Sequence, residues 1–305
     1  MSKNILVVGS TAFDSVETAA GKAEKVLGGS AFFFSAAASF FANVALVGVV
    51  GEDFSLTDLD FLRNRGVDLA GLEVIPGGKT FHWGGRYHED MKGRDTLFTH
   101  LNVFEDFNPV IPKSSTQAQL LFLANIQPEL QLQVLNQMEK PELVITDTMN
   151  LWINIAMDGL TKVISRTDIL IVNDEESEMI TGVNNPLQAA NKLLEMGPKT
   201  VIVKKGEHGA LLINKEGMFH APAFPLETIT DPTGAGDTFA GGFVGSLARD
   251  GQYDLEALKR AVACGSVLAS FSVQDFSIRS LAALDRDTLD RRLNDFHKLT
   301  QFNLI

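Results

Sequence analysis

The 305-residue chain has one cysteine, two tyrosines and two tryptophans, and it contains no tract of basic residues. Its single thiol, Cys264, excludes an internal disulfide and a zinc site built from cysteines. The 26 basic residues are outnumbered by 38 acidic ones, which gives a formal net charge of −12. Because nucleic acids and anionic membranes are bound by clustered basic charge, we expect neither as a partner.

The first residues also lack the hydrophobic segment and cleavage site of a secretory signal peptide, so we expect a cytoplasmic protein. One uncharged stretch, between Lys25 and Glu52, has the length of a membrane span. Its pattern instead favours a turn, a helix over Ala31–Phe41 and a buried strand over Val44–Val50. A helix followed directly by a strand is typical of an α/β protein.

Short apolar runs alternate with helical patterns along the chain. The predicted strands are Ile5–Gly9, Val44–Val50, Leu120–Ala124, Leu143–Thr146, Ile169–Val172 and Thr200–Val203. The predicted helices are Ala31–Phe41, Leu56–Arg65, Pro128–Glu139, Asp174–Thr181, Pro186–Met196, Asp237–Arg249, Leu255–Phe271 and Leu284–Leu299. Apolar strands separated by helices indicate an α/β fold with a mostly parallel sheet that helices cover on both faces.

The interval Pro76–Ile111 interrupts this alternation with polar, strand-like segments. These predicted strands are Thr80–Trp83, Arg86–His88 and Thr96–Leu101, joined by turns at Gly84-Gly85 and Lys92-Gly93-Arg94. We expect an antiparallel insertion that forms a small lid. A decorative edge hairpin is the alternative.

The run Asp231-Pro232-Thr233-Gly234-Ala235-Gly236-Asp237-Thr238-Phe239 places two glycines at the start of a small-residue helix. Backbone N–H groups converge at such an N-terminus and bind anionic oxygen. A carboxylate beside them, Asp237, suits removal of a proton from a hydroxyl that attacks a phosphoryl group. Alternatively, the glycines make a tight turn and Asp237 caps the helix. The run is not a Rossmann fingerprint, since Phe239 occupies the position of the third glycine. Gly78-Lys79-Thr80 ends like a P-loop, but Glu73 stands where the first glycine of that motif is required.

Four motifs in the same order and spacing resemble those of the ribokinase/PfkB family of carbohydrate kinases. They are Gly9–Asp14 after the first strand, the di-glycine segment Gly28–Ala31, the Asn-x-x-Glu segment Asn173–Glu176, and the signature Asp231–Phe239. The resemblance implies one ribokinase-like domain over residues 1–305, a three-layer sandwich whose β-strand lid comes from about residues 10–27 and 76–111. It also implies transfer of the γ-phosphoryl group of Mg·ATP to a primary hydroxyl of a small sugar or polyol.

The resemblance further implies a role for each site residue. Asp237 would be the general base, and the amides of Gly234, Ala235 and Gly236 the anion hole. Substrate would be bound by Asp14, Gly28, Gly29 and Asp237. Nucleotide would be bound by Asn173, Lys204, Gly206, Gly234 and Gly236. Glu176 would hold Mg²⁺ through water, and Asp231 a monovalent cation such as K⁺. A homodimer through the lid is also expected. Asn173 and Glu176 have an alternative role as a helix capping box, and Asp147 closes another strand near the cleft.

Three departures from ribokinase concern the acceptor. Ala12, Ser30 and Phe33 stand where ribokinase has Asn, Lys and Asn, which argues against ribose. The neighbouring Phe32 and Phe34 favour a less hydroxylated ring or a nucleoside base. A nucleoside kinase on the same scaffold is therefore the alternative function. A sugar- or nucleotide-binding regulator without catalysis is a third hypothesis.

Overall fold

The structure is a computed structural model that describes residues 2–91 and 93–303. Within these residues the chain forms thirteen β-strands and eleven α-helices. The strands are β1 Ile5–Val8, β2 Ala12–Thr18, β3 Gly21–Gly28, β4 Val44–Gly51, β5 Asp68–Ile75, β6 Phe81–Tyr87, β7 Arg94–His100, β8 Leu120–Leu123, β9 Leu143–Asp147, β10 Ile169–Asn173, β11 Thr200–Lys204, β12 Ala210–Asn214 and β13 Gly217–Ala221. The helices are α1 Ser30–Ala38, α2 Asp60–Asn64, α3 Pro128–Gln137, α4 Asn150–Ile155, α5 Met157–Ile164, α6 Asp174–Thr181, α7 Pro186–Glu195, α8 Ala235–Asp250, α9 Leu255–Ser272, α10 Arg279–Ala283 and α11 Arg286–Thr300.

The larger sheet has nine strands in the order β13-β12-β11-β10-β9-β8-β1-β4-β5. Neighbouring strands from β11 to β5 are parallel, and β12 and β13 add an antiparallel edge. Alternate side chains of β1 belong to different hydrophobic clusters. Ile5 and Val7 pack with residues of α1, α8 and α9, whereas Leu6 and Val8 pack on the opposite face with residues of α3 and α5. Helices thus cover both faces, which confirms the predicted mostly parallel three-layer α/β fold.

The uncharged stretch forms helix α1 and strand β4, as predicted. Helix α8 packs directly on α1. Their backbones are so close that a Cβ on Gly241 would lie 2.3 Å from the carbonyl oxygen of Phe34. Glycine there allows the two backbones to approach closely. In the described part of the chain, no helix combines the length and apolarity needed to cross a membrane.

The smaller sheet, the lid, has four strands in the order β3-β2-β6-β7. Strands β2 and β6 are parallel, and the two outer pairs are antiparallel. The predicted turn at Gly84-Gly85 is wrong, because both residues lie inside the continuous strand β6. A Cβ on Gly85 would lie 2.2 Å from the Trp83 ring, and one on Gly84 2.3 Å from the Phe98 ring. These glycines make room for aromatic rings. Of the other predicted turn, Lys92 lies outside the described residues.

Candidate active site

The residue that precedes helix α8 occupies a position that only glycine can adopt. Gly234, its N-cap residue, has φ of +72°, and a Cβ there would lie 2.4 Å from the ring of Phe33. Both the left-handed backbone and the ring beneath it exclude a side chain. The N–H group of Ala235 donates to the carbonyl of Pro232 at 3.2 Å, so this amide closes the turn in the present structure. The helix N-terminus, with its partial positive charge, faces the edge where the parallel strands end.

Asp237 lies in the first turn of α8. Burial raises the pKa of Asp237 to about 7, and the charge of Asp147 adds to the rise. Lys204 and Arg94 act in the opposite direction. Asp237 therefore changes charge near neutral pH.

A half-buried lysine lies among the nearby carboxylates. Lys204, the last residue of β11, places Nζ 3.0 and 3.3 Å from the two carboxylate oxygens of Asp147, the last residue of β9. A Cβ on Gly236 would lie 3.0 Å from the same Nζ, so the ammonium group lies beside the start of α8. Burial alone would lower the pKa of Lys204, but the charges of Asp147, Glu176 and Asp237 raise it. The lysine is thus held as a cation among three carboxylates.

Asn173 and Glu176 form the capping box at the start of α6. The Asn173 N–H donates to Glu176 Oε2 at 2.7 Å, and the Glu176 N–H donates to Asn173 Oδ1 at 2.7 Å. Burial raises the pKa of Glu176 to about 7, while Lys204 lowers it. The cap uses one carboxylate oxygen, so it is compatible with a second role for the other.

The lid supplies another buried carboxylate, Asp14 of β2. A Cβ on Gly28 would lie 2.0 Å from Asp14 Oδ2, and the backbone N–H of Gly29 acts to lower the pKa of the same carboxyl group. Gly29 has φ of +93°, and its Cβ would lie 2.6 Å from the Ser10 carbonyl oxygen. Burial raises the pKa of Asp14 to about 7, assisted by the charges of Asp231 and Asp237. The di-glycine segment therefore makes the space that Asp14 fills.

Comparison with known proteins identifies the family of this chain. A profile described as pfkB family carbohydrate kinase matches residues 2–281. The chain belongs to the pfkB family of carbohydrate kinases. The resemblance stated from the four motifs is confirmed, and the protein is a kinase of the sugar or nucleoside class.

Two curated relatives match this kinase over most of their length. It is 32% identical over 253 residues to the cytidine kinase of Thermococcus kodakarensis, which covers 81% of this chain and 89% of the relative. It is 26% identical over 276 residues to the 2-dehydro-3-deoxygluconokinase of Thermoproteus tenax, covering 80% of this chain and 79% of the relative.

Solved structures show the same fold. The nucleoside kinase of Methanocaldococcus jannaschii superposes with a TM-score of 0.75 at 22% identity, over 97% of this chain and 100% of that one. The nucleoside kinase of Burkholderia thailandensis in complex with inosine gives a TM-score of 0.77 at 18% identity, over 97% of each chain. At these identities the likeness establishes the ribokinase-like fold alone.

The kinase brings into its cleft three lid residues that the sequence interpretation did not select. The Tyr87 hydroxyl accepts a hydrogen bond from Thr233 Oγ1 at 3.1 Å, and the charge of Arg94 acts to lower the pKa of this hydroxyl. The Arg94 guanidinium lies 5.5 Å from the centroid of the Trp83 ring. Arg94 pairs with Tyr87 across two antiparallel strands, a register that sequence alone did not reveal.

The three consecutive phenylalanines of the kinase do not line the cleft. Phe32, Phe33 and Phe34 are at most 1% exposed. Phe34 stacks on Phe122 with ring centroids 4.2 Å apart, and Phe32 stacks on Phe54 at 5.6 Å. The expectation that these rings favour a base is therefore wrong as a contact argument, because the core takes all three.

Two further predicted residues of the kinase are Asp231, whose charge raises the pKa of Asp14, and Gly206. Asp231 is buried, and its two carboxylate oxygens accept from the backbone N–H groups of Thr233 at 2.9 Å and Ser277 at 3.2 Å. Gly206 is exposed in the turn two residues beyond Lys204, with φ of +53°. The roles of both residues stay predictions.

Proposed function

We propose that this kinase transfers the γ-phosphoryl group of ATP to a primary hydroxyl of a nucleoside, with Asp237 as the general base. The observation that carries the proposal is the meeting of Asp14, from the lid, and Asp237, from the first turn of α8. The charge of Asp237 raises the pKa of Asp14, which supports placing the two carboxylates at the same end of the cleft. One carboxylate can hold an acceptor hydroxyl while the other takes its proton.

The pKa of Asp237, about 7, suits a base at neutral pH. In the proposed step the acceptor hydroxyl gives its proton to a carboxylate oxygen of Asp237. The backbone N–H groups of Gly234 and Gly236, at the N-terminus of α8, would stabilise the negative charge that develops on the phosphoryl oxygens. The Ala235 N–H would join them after release from the Pro232 carbonyl.

The donor set on the sheet side fits Mg·ATP. Magnesium is usually bound by one or two carboxylates together with phosphate oxygens and water, and Glu176 and Asp147 supply such carboxylates beside the half-buried Lys204. Mg²⁺ when bound neutralises phosphate charge. We assign Lys204 and Asn173 to nucleotide binding with Gly206, and Glu176 to the metal. For K⁺, Asp231 would have to share oxygens that already accept two N–H groups.

A nucleoside is preferred over a free sugar or polyol as the acceptor. The relative with 32% identity over 81% of this chain is a cytidine kinase. The lid face that carries Asp14 also presents Trp83 and Arg94, two side chains able to contact a planar base. A small sugar or polyol is the second candidate, supported by the similarity to 2-dehydro-3-deoxygluconokinase at 26% identity.

An acceptor panel tests the proposal. Purified protein with Mg·ATP is offered nucleosides, ribose and other free sugars, polyols and 2-keto-3-deoxy sugar acids, and ADP release is measured with mass analysis of the product. We expect nucleoside monophosphate from at least one nucleoside, with kcat/KM well above that of any free sugar. Turnover of free sugars with no nucleoside phosphorylated would overturn the choice of acceptor.

A further inference from the structure

We propose that Arg94 selects the base of the acceptor by donating two parallel hydrogen bonds to an edge that carries two adjacent acceptor atoms. The inference rests on the proposed function, because it requires a nucleoside. Cytosine offers such an edge at O2 and N3, and guanine and hypoxanthine offer one at O6 and N7. Uracil places an N–H between its carbonyls, and adenine places an amino group beside its ring nitrogens. The first three bases are therefore favoured.

Arg94 has two aromatic neighbours on the lid. Arg94 lies directly opposite Tyr87 in the antiparallel pair of β6 and β7, so both side chains project from the same face of the sheet. The guanidinium lies 5.5 Å from the centroid of the Trp83 ring, and its charge acts to lower the pKa of the Tyr87 hydroxyl. A guanidinium has five N–H donors in a planar fork. The contact with the Trp83 ring favours one orientation of this fork before an acceptor arrives.

Tyr87 in turn fixes this part of the lid to the catalytic loop. It is 8% exposed, and its hydroxyl accepts from Thr233, the residue before Gly234. Tyr87 packs with Val16 and Phe276, and Trp83 lies against the same cluster. Because β2 also carries Asp14 on this face, Arg94 and Asp14 belong to one surface that looks onto α8. In agreement, the charge of Arg94 lowers the pKa of both Asp14 and Asp237.

The charges at this end of the cleft favour a neutral group for Arg94. The carboxylates of Asp231 and Asp237 both act on the carboxylate of Asp14 here. A carboxylate on the acceptor would be repelled by these three carboxylates and attracted by one cation, Arg94. A neutral base edge receives the same two hydrogen bonds without that repulsion. The geometry therefore points to a nucleobase and away from a sugar acid.

The test compares matched nucleosides in variants that keep or remove the charge. Steady-state kinetics with saturating Mg·ATP are measured for cytidine, uridine, inosine and adenosine with wild type, Arg94→Lys and Arg94→Gln. Lysine retains the charge that acts on Asp237 but lacks the planar fork. The control is Arg86→Lys, since Arg86 is an exposed arginine of the same sheet that pairs with Glu17 at 3.1 Å. A melting temperature for each variant checks that it folds.

We expect wild type to use cytidine and inosine at least tenfold better than uridine and adenosine. Arg94→Lys should reduce kcat/KM for cytidine by about 10- to 100-fold, mainly through KM, and change uridine much less. Arg94→Gln should do the same and also alter the pH profile of kcat. Arg86→Lys should behave as wild type. An unchanged ratio of cytidine to uridine in Arg94→Lys overturns the inference alone, as does an Arg94-dependent preference for a sugar acid. Failure of wild type to phosphorylate any nucleoside overturns the proposed function with it.

Discussion

The charged groups on the core side of the cleft lie at the ends of strands of the larger sheet and in the first turn of a helix. The charged groups on the lid side project from the faces of strands. Lys204 and Asp147 end β11 and β9, and Asp237 lies in the first turn of α8. Asp14 and Arg94 instead project from the interior and the first residue of two lid strands. The core side is thus positioned by sheet topology, and the lid side by strand register.

The lid touches the core at the loop that precedes α8. Thr18 of β2 donates to the carbonyl oxygen of Thr230 at 2.8 Å, and Thr233 donates to Tyr87 of β6 at 3.1 Å. Both contacts hold the segment that leads into Gly234. The proposed acceptor side and the proposed phosphoryl side are therefore connected through the segment from Thr230 to Thr233.

The largest effect is expected from removing the base on the core side. Asp237→Asn should lower kcat by about 10²- to 10⁴-fold with little change in the KM for cytidine, because an amide cannot take the proton and has nearly the same shape. Steady-state kinetics with cytidine and Mg·ATP measure both constants. Asp250→Asn, at the other end of α8, is the control and should retain wild-type kcat. Equal turnover of the two variants would remove Asp237 from the mechanism.

A smaller effect separates the two roles of Glu176. Glu176→Gln keeps an oxygen for the Asn173 N–H, so the capping box and the melting temperature should be retained. Loss of the charge should raise the Mg²⁺ concentration for half-maximal activity by about tenfold. The exposed neighbour Glu175 provides the control variant Glu175→Gln. An unchanged Mg²⁺ dependence in Glu176→Gln would leave the residue with a capping role alone.

The smallest effect concerns pH and stability on the lid side. The pKa of Asp14 is about 7 in the folded protein and about 3.9 in an unfolded chain. At pH values between these two pKa values, the folded state holds a proton that the unfolded state has lost. The contribution of this group to the free energy of unfolding therefore falls as pH rises through this range. In Asp14→Asn the penalty disappears. Its melting temperature relative to wild type should therefore increase by a few degrees from pH 4.5 to pH 8. A difference independent of pH would contradict the raised pKa.

The core side could largely be predicted from the sequence because its residues lie in contiguous motifs at element ends. Parallel strands end at a common edge, which brings Asn173 and Lys204 toward the N-terminus of α8 once the strands are known. Strand β5 was missed because it lies at the sheet edge and lacks the continuous apolar run that revealed the buried strands.

The lid side could be predicted only in outline. A glycine pair is a common turn signal, yet Gly84 and Gly85 continue β6, since their missing side chains admit the rings of Phe98 and Trp83. Arg94 was placed in a turn, and only its register opposite Tyr87 brings it to the cleft. One residue of slip would turn its side chain to the opposite face.

The division of the cleft into an acceptor side on the lid and a nucleotide side on the core is tested most directly by calorimetric titration of Gly28→Ala. A methyl group at this position would lie 2.0 Å from Asp14 Oδ2 and must displace that carboxylate. We predict that the variant binds Mg·ATP with wild-type affinity while its affinity for cytidine falls by at least tenfold. Equal loss of both affinities, or retention of cytidine binding, would contradict the account.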